Sequence, residues 1–186
     1  MKRYYRSIAM LFFFVQAVLL WGQNRLTADL EAFETLSVSG GIDVEIIPSN
    51  SHQMSITARD GRPEEVKYEI SNGELSIRVR PDFNKDDEVR VRLPYKKLTR
   101  IHASSGTMIN SREDFKGDLL ELRATSGGKI ELSLEVNALE ARVTQFSDII
   151  LYGTAVIQHV HTGSGGNYLA FDLECDETHV QSRAGA

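Results

Sequence analysis

Short runs of alternating hydrophobic and polar residues dominate the chain after about residue 32, and helical periodicity is almost absent. In the stretch "GGIDVEIIPS", Ile42, Val44 and Ile46 fall on one face, while the acidic residues between them fall on the other. This period of two is typical of a strand that buries one face. Residues 54–58 and 89–94 alternate in the same way, so both are predicted to be strands.

A tight turn joins two further alternating runs. Residues 66–71 and 74–79 lie on either side of Asn72-Gly73, and each keeps one apolar face. Asn-Gly tolerates the positive φ angles of a two-residue hairpin turn. We therefore predict an antiparallel β meander over residues 33–96.

A repeat of about 20 residues occupies the chain from Lys97 onward. One set of aligned hydroxyl residues lies 21, 19, 18 and 20 positions apart: Ser104, Thr125, Thr144, Thr162 and Ser182. A second set follows seven positions later: Ser111, Leu132, Leu151 and Leu169. In each repeat a corner rich in Gly and Ser follows the first set and leads into a second apolar strand. A fixed period with two short strands and one corner is typical of a β-solenoid, whose coils stack at roughly 4.8 Å.

These patterns predict one continuous all-β domain over residues 33–186. An N-terminal antiparallel β meander, residues 33–96, leads into a β-solenoid of coils about 20 residues long, residues 97–186. The last repeat has only begun its corner at Ala186, so we expect further coils to follow in the natural protein. An uncovered last coil leaves strand edges unpaired, so the alternative to a missing C-terminal segment is homo-association through the C-terminal solenoid end.

The N-terminus has the composition of a secretory signal peptide, residues 1–22. A basic start precedes the apolar run from Ile8 to Trp21, and this run is shorter than the roughly 20 residues that a bilayer span requires. Cleavage after Gly22 leaves a linker, residues 23–32. We predict export to the periplasm, the cell surface or the medium, with no membrane span after cleavage. An uncleaved membrane anchor is the alternative.

Charge and cysteine content narrow the function classes. The net charge is −5 and basic residues are interspersed with acidic ones, whereas a nucleic-acid surface needs concentrated basic residues. We therefore predict no nucleic-acid partner. Cys175 is the only cysteine, so it has no disulfide partner within the chain, and its thiol is predicted to be buried as a small apolar group.

The glycine-rich corners do not have the pattern of a phosphate-binding loop. Gly127-Gly128-Lys129 is followed by Ile130 rather than Ser or Thr, and the flanking segments are predicted strands. The third repeat has Gln145-Phe146-Ser147 at the same corner. A corner that accepts this replacement sets backbone shape, for which Gly supplies positive φ at low cost.

Several of these segments, in this order, resemble the head GIN domain, or putative auto-transporter adhesin, family of exported bacterial proteins. The resemblance rests on "SGGIDVEI" after "F..L.VSG", on "SNGELSIRV", on "VRLPYKKLTRIHASSG" and on the recurring "SGG" corners. It extends from about Phe33 to the C-terminus. It implies an exported, mostly β protein with a solenoid-like body, common in Bacteroidota-type bacteria, with no established catalytic residues. The chain departs from the family in its third corner, which lacks Gly, and in having fewer coils.

We predict a non-catalytic binding or adhesion-type module of the bacterial envelope, whose partner is a glycan or an envelope or cell-surface protein. We assign no catalytic residue and no cofactor. The alternative is a carbohydrate-active β-helix enzyme, a polysaccharide hydrolase or lyase, with a carboxylate pair about 5–10 Å apart on one solenoid face. The candidate acids are Glu131, Glu135, Asp148, Asp172 and Glu174. Aromatic residues that could stack on sugars are scarce, and the two candidates are Tyr152 and Tyr168.

The histidines of the repeats provide the candidate metal ligands. His159 and His179 occupy equivalent positions in the repeat alignment. In the earlier repeats the same position holds three apolar residues, Ile101, Leu122 and Ala141. Stacked coils would bring the two close enough to share a divalent metal with His161. A register shift of one residue is the alternative. It would turn Val160 and Val180 inward and leave all three histidines facing water.

Overall fold

The computed structural model describes residues 25–59, 62–79 and 88–183. The predicted signal peptide and most of the charged segment 81–88 lie outside these residues. Strands make up 71% of the described residues, whose single helical element is a short 3-10 turn at Pro63–Glu65. No helix in the described part is long and apolar enough to span a membrane.

Thirteen strands in the described ranges form one curled sheet. In chain order they are β1 (Arg25–Asp29), β2 (Thr35–Ser39), β3 (Asp43–Pro48), β4 (Gln53–Ala58), β5 (Lys67–Ser71), β6 (Glu74–Arg78), β7 (Val89–Tyr95), β8 (Arg100–Ser104), β9 (Met108–Asn110), β10 (Phe115–Thr125), β11 (Lys129–Thr144), β12 (Asp148–Gly163) and β13 (Asn167–Ser182). The sheet winds into a β-solenoid of about 4 turns, which confirms the predicted fold class.

Parallel pairing of the long strands builds the solenoid. Residues 19 positions apart pair between β10 and β11, and again along the whole of β11 and β12, as Lys129 with Asp148 and Thr144 with Gly163. Every coil therefore places equivalent residues beside one another across the sheet. We call such a set of neighbours in register a column.

Each long strand changes face near its middle. In β11, Val136 and Leu139 are both buried and two residues separate them, where a regular strand would have one. This break divides the solenoid into two walls. The first wall consists of β3, β7, β9 and residues 115–117, 129–136, 148–155 and 167–175. The second wall consists of β2, β6, β8 and residues 119–125, 138–144, 157–163 and 177–182.

The glycine-rich corners join the second wall to the first. Each has two consecutive residues with positive φ: Gly40 and Gly41 (105° and 71°), Ser105 and Gly106 (54° and 73°), Ser126 and Gly127 (53° and 74°), Gln145 and Phe146 (58° and 57°), and Ser164 and Gly165 (51° and 75°). The interpretation of the corners as shape-setting turns is therefore confirmed. Gly128 is required for a second reason, because a methyl group there would lie 2.4 Å from the Ala103 carbonyl oxygen.

The N-terminal strands belong to the same solenoid. The antiparallel pairs are β5 with β6, β1 with β4, and β4 with β7. However, β2 pairs in parallel with β6 and β8, and β3 pairs in parallel with β7 and β9. Only β5 and β6 have the consecutive pairing of a meander, and β2 and β3 form a further coil around the Gly40-Gly41 corner. Alternation of apolar and polar residues indicates which face of a strand is buried, but it does not indicate which strand is the partner. The sequence therefore did not reveal this coil.

The structure corrects the repeat alignment after the third corner. Thr144 pairs with Gly163, and Thr162 pairs with Val143, so the predicted alignment of Thr144 with Thr162 is wrong. Leu169 pairs with Ile150, and a bulge between Ile150 and Tyr152 follows this pair. The hydrophobic alternation decides the register, because a shift of one residue would turn every buried side chain outward.

Candidate functional site

A column of basic and amide side chains follows the outer surface of the second wall. In order across β8, β10, β11, β12 and β13 its members are His102, Arg123, Arg142, His161 and Gln181. We call it the arginine column. Adjacent strands are roughly 4.8 Å apart, so the column places one nitrogen-bearing side chain at each such step. The residues on either side of Arg123 in the sequence, Leu122 and Ala124, are fully buried, so Arg123 must point outward.

The two arginines of this column lack partners within the described structure. Neither Arg123 nor Arg142 forms an ion pair or a side-chain hydrogen bond with another described residue. By contrast, Arg100 on the same wall donates from Nε to Glu121 Oε2 at 2.7 Å. Both guanidinium groups therefore have all their donors available to a ligand, although they lie on neighbouring strands and repel each other.

Hydroxyl side chains line the arginine column on its corner side. Ser104, Thr125 and Thr144 are half-buried and occupy the next outward position of β8, β10 and β11. The hydroxyl of Thr125 lies 3.2 Å from His102 Nε2. At the β12 end the two rows border a groove of about 280 Å³, lined by Arg142, Thr144, His161, Thr162, Ser164, Gln181 and Arg183 among others.

The environment of His102 favours its neutral form. Burial lowers the pKa of His102 below its usual 6.5, and the positive charge of Arg123 lowers it further. Glu74 acts in the opposite direction and does not reverse the effect. Near neutral pH the positive charge of the column is therefore centred on Arg123 and Arg142.

The three candidate metal ligands face outward. Val160 is 1% exposed and pairs with Ala141. His159 is therefore in register with the outward-facing Glu140, and not with the apolar residues with which the sequence alignment placed it. The interpretation with inward-facing histidines is wrong, and the one-residue shift is confirmed. Valines at 160 and 180 continue the buried column, although Val180 is 60% exposed because β13 is the outermost described strand.

The histidine rings are stacked rather than arranged around a shared point. The rings of His159 and His179 lie 4.8 Å apart with an angle of 7° between their planes. His179 Nε2 lies 2.7 Å from Glu177 Oε1, and His161 belongs to the neighbouring arginine column. Among the described residues, no group of three His, Cys, Asp or Glu side chains is arranged to hold a metal ion.

The candidate acids lie on the first wall, and only two of them share a column. Glu135, Thr154 and Glu174 are in register on three successive strands and border an open groove of about 670 Å³. Two strand spacings put the Glu135 and Glu174 backbones roughly 9.6 Å apart. Lys116 donates to Glu135 Oε2 at 2.7 Å, so that carboxylate already has a partner.

The remaining acids and the two tyrosines are dispersed. Glu131 is paired with Lys129 at 2.9 Å, and Asp148 accepts a hydrogen bond from Asn167 at 2.8 Å. Tyr168 turns inward and donates to Gln158 Oε1 at 2.5 Å, and burial raises the pKa of its hydroxyl well above the usual range. Of the two candidate stacking residues, Tyr168 therefore packs against the core, whereas Tyr152 is partly exposed.

Sequence reasoning missed the arginine column, although a signal for it was present. In the repeats "LRATSGG" and "ARVTQFS", an arginine stands two places before the aligned threonine, at Arg123 and Arg142. His102 occupies the same place in the first repeat, and the corrected register adds His161 from the fourth.

Comparisons with known proteins give the family and the fold. The family described as "Putative auto-transporter adhesin, head GIN domain" matches residues 32–186. No curated protein matches the chain significantly. A "putative adhesin" from Bacteroides fragilis NCTC 9343 has a similar structure, with a TM-score of 0.79 and 15% identity over 86% of this chain and 75% of that one.

Two Parabacteroides structures share the fold at similarly low sequence identity. A "putative adhesin" from Parabacteroides merdae ATCC 43184 has a TM-score of 0.71 and 18% identity, covering 85% of this chain and 76% of that one. A "Putative lipid binding protein" from Parabacteroides distasonis ATCC 8503 has a TM-score of 0.63 and 15% identity, covering 87% and 79%. Since the family match extends over most of its length, the chain belongs to the putative auto-transporter adhesin, head GIN domain family.

Proposed function

We propose that this protein is an exported, non-catalytic adhesion-type module of the bacterial envelope, which binds its ligand through the outer surface of the second wall. The observation that carries the proposal is the regular outward column on this wall, whose arginines lack partners within the described structure. Membership of a family described as putative adhesins supports a binding role. The predicted signal peptide supports export to the periplasm or the cell surface.

The second wall is the better binding surface because its columns stay in register. On the first wall the bulge between Ile150 and Tyr152 shifts the last pair of strands by one position. On the second wall β11, β12 and β13 pair without interruption, from Ile157 to Thr162 on β12. A ligand with a repeating structure can therefore meet equivalent groups on successive strands.

A binding screen with hydrolysis scored in parallel tests this function. The protein is applied to immobilised glycans and extracellular-matrix proteins, and a variant with a bulky charged residue on the second wall, Thr125→Glu, is compared with Ser133→Glu on the first. We expect binding that Thr125→Glu abolishes and Ser133→Glu preserves, without release of sugar products. Failure to bind any component, or equal loss in both variants, would contradict the proposal.

The alternative function, polysaccharide hydrolysis, has one observation in its favour. Glu135 and Glu174 share a column beside the first-wall groove, at a backbone separation compatible with the carboxylate pairs of glycosidases. Assays of the wild type against acidic and neutral polysaccharides test it, with Glu174→Gln as the diagnostic variant. Sugar release that Glu174→Gln abolishes would establish the enzyme and refute the non-catalytic role.

We also propose that a second copy of the chain associates with β13. This strand pairs only with β12 among the described strands, and its side chains Leu173 and Cys175 contact the core while remaining partly exposed. Four acids, Asp172, Glu174, Asp176 and Glu177, oppose the association because like charges meet across the new interface. We therefore expect dimers in sedimentation velocity at high ionic strength and monomers at low ionic strength. Monomers at both, or dimers that persist after Thr178→Pro, would exclude it.

A further inference from the structure

We propose that the arginine column binds a linear acidic polysaccharide through its carboxylate or sulfate groups. This inference rests on the proposed binding function of the second wall and names the class of ligand. Its starting point is the absence of ion-pair partners for Arg123 and Arg142 in the described part of a chain whose net charge is −5. Most other exposed arginines of the described part are engaged, as Arg92 and Arg112 are by Glu45 at 3.0 and 2.7 Å, although Arg183, which borders the same groove as Arg142, also has no side-chain partner there.

The hydrogen-bond donors of the arginine column are of the type that binds oxyanions. A guanidinium group presents a rigid planar fork of N–H donors, which binds carboxylates and sulfate-like groups through two parallel hydrogen bonds. Arg123 and Arg142 are both exposed and stand side by side on adjacent strands. Because they repel each other in the free protein, an anion placed between them gains from both charges and relieves that repulsion.

The neighbouring hydroxyl row matches the rest of a sugar chain. Thr125 and Thr144 lie beside the two arginines, and Ser164 borders the same groove as Arg142. Hydroxyl groups both donate and accept hydrogen bonds, so they can bind the uncharged hydroxyls between successive acidic groups of a polysaccharide. The column continues through Gln181 and His161, which extends the surface beyond a single anion.

Nucleic acid and anionic membranes fit this surface less well. Single-stranded nucleic acid binds on aromatic side chains that stack with bases, and the arginine column contains no phenylalanine, tyrosine or tryptophan. A membrane surface attracts proteins with clusters of Lys and Arg, whereas Glu140 and Glu121 occupy the next column of this wall. The column is one residue wide, with its two arginines on successive strands along its length, and this shape favours a narrow polymer.

Dextran sulfate and neutral dextran provide a matched pair of probes, because they share a backbone and differ in the sulfate groups. Polygalacturonate adds a polymer whose anions are carboxylates. Binding to immobilised protein is measured for the wild type, for Arg123→Gln/Arg142→Gln and for the control Arg90→Gln/Arg112→Gln. The control removes the same charge from arginines that are paired with Glu88 and Glu45 on or beside the first wall.

We expect the wild type to bind the acidic polymers and not dextran. Loss of charge-assisted hydrogen bonds should weaken binding by about tenfold for each arginine, and so by about 100-fold in the second-wall double variant. The control should change the dissociation constant by less than about threefold, which reflects net charge alone. Circular dichroism and urea unfolding verify that each variant is folded.

Several outcomes would overturn the inference. Equal weakening in both double variants would indicate diffuse electrostatics, and binding of dextran as tight as that of dextran sulfate would exclude anion recognition. Tighter binding to a single-stranded oligonucleotide or to anionic phospholipid vesicles, with the same arginine dependence, would assign the column to another class of partner. If a neutral glycan or a matrix protein binds the second wall independently of both arginines, the inference fails while the proposed function remains.

Discussion

Where β10 pairs with β11, the two walls of the solenoid differ in charge: residues in register carry opposite charges on the first wall and like charges on the second. On the first wall, Lys116 is paired with Glu135 at 2.7 Å, and at the break between the walls Asn137 donates to Asp118 at 3.0 Å on the neighbouring strand. On the second wall, Arg123 and Arg142 occupy one column without partners in the described structure. The first arrangement stabilises the stacking of coils, whereas the second reduces stability and leaves donors available. This difference is the basis of our proposal that the second wall, rather than the first, binds a ligand.

Both walls depend on the glycine-rich corners that join them. A substitution that disrupts a corner should therefore have the largest effect on the free energy of unfolding. Gly128→Ala would place a methyl group 2.4 Å from the Ala103 carbonyl oxygen, so two coils must separate. We expect a loss of about 3 kcal/mol in the free energy of unfolding, measured by urea denaturation.

Gly73→Ala provides the control for this experiment. Gly73 has a φ of 75° in the β5–β6 turn, and no atom within 4 Å would contact an added methyl group. Left-handed strain alone should cost about 1 kcal/mol. A smaller loss for Gly128→Ala than for Gly73→Ala would show that the corner is not closely packed.

The third corner should gain stability when it is made like the others. Phe146 has a φ of 57° and is 83% exposed, so Phe146→Gly should relieve left-handed strain and stabilise the protein by about 1 kcal/mol. Phe171→Gly is the matched control, because Phe171 is 92% exposed in the regular strand β13 and Gly weakens strands. Thermal unfolding should shift upward for the first and downward for the second. A downward shift for both would mean that the Phe146 ring stabilises the corner.

Neutralising one charge on each wall should have small effects of opposite sign. Arg142→Gln removes repulsion from Arg123 and should raise the free energy of unfolding by about 0.3 kcal/mol, whereas Lys116→Gln removes a favourable ion pair and should lower it. Both differences should shrink in high salt, because these groups are exposed. A destabilising effect of Arg142→Gln would show that this arginine has a structural partner.

The smallest expected effect is a dependence of stability on pH at the second wall. Burial and Arg123 lower the pKa of His102, so the unfolded chain binds a proton near pH 6.5 that the folded protein does not yet bind. The free energy of unfolding is therefore fully retained above about pH 6.5 and falls as the pH drops from there to the lowered pKa of the folded state. His102→Gln should be less sensitive than the wild type between pH 7.5 and 5. Parallel pH profiles for the two proteins would contradict the assignment.

The sequence predicted the solenoid because its inward columns are predominantly apolar. Val160 and Val180 indicated the correct register through their alternation, even though the alignment of Thr144 with Thr162 opposed it. The hydroxyl row misled the alignment because Gly163, and not a threonine, is in register with Thr144. Outward positions tolerate such a change of residue type, whereas inward positions must remain apolar. Register was thus predictable from the core and not from the surface.

The coil formed by β2 and β3 was missed for a different reason. Its corner, Gly40-Gly41, has the same pair of positive φ angles as Ser126-Gly127, but its strands lie next to partners that are distant in the sequence. The arginine column was missed because each arginine occurs once per repeat and is unremarkable alone. Only the stacking of coils shows that Arg123 and Arg142 are neighbours without counter-ions.

Arginine footprinting tests the difference between the walls most directly, because both are measured in one sample. The wild-type protein is labelled with phenylglyoxal in the presence of dextran sulfate or of neutral dextran, and the modification of each arginine is measured by mass spectrometry. We predict that dextran sulfate protects Arg123 and Arg142 and leaves Arg90 and Arg112 as reactive as they are with dextran. Protection of Arg90 and Arg112 instead, or equal protection of all four, would contradict the assignment of the second wall as the binding surface.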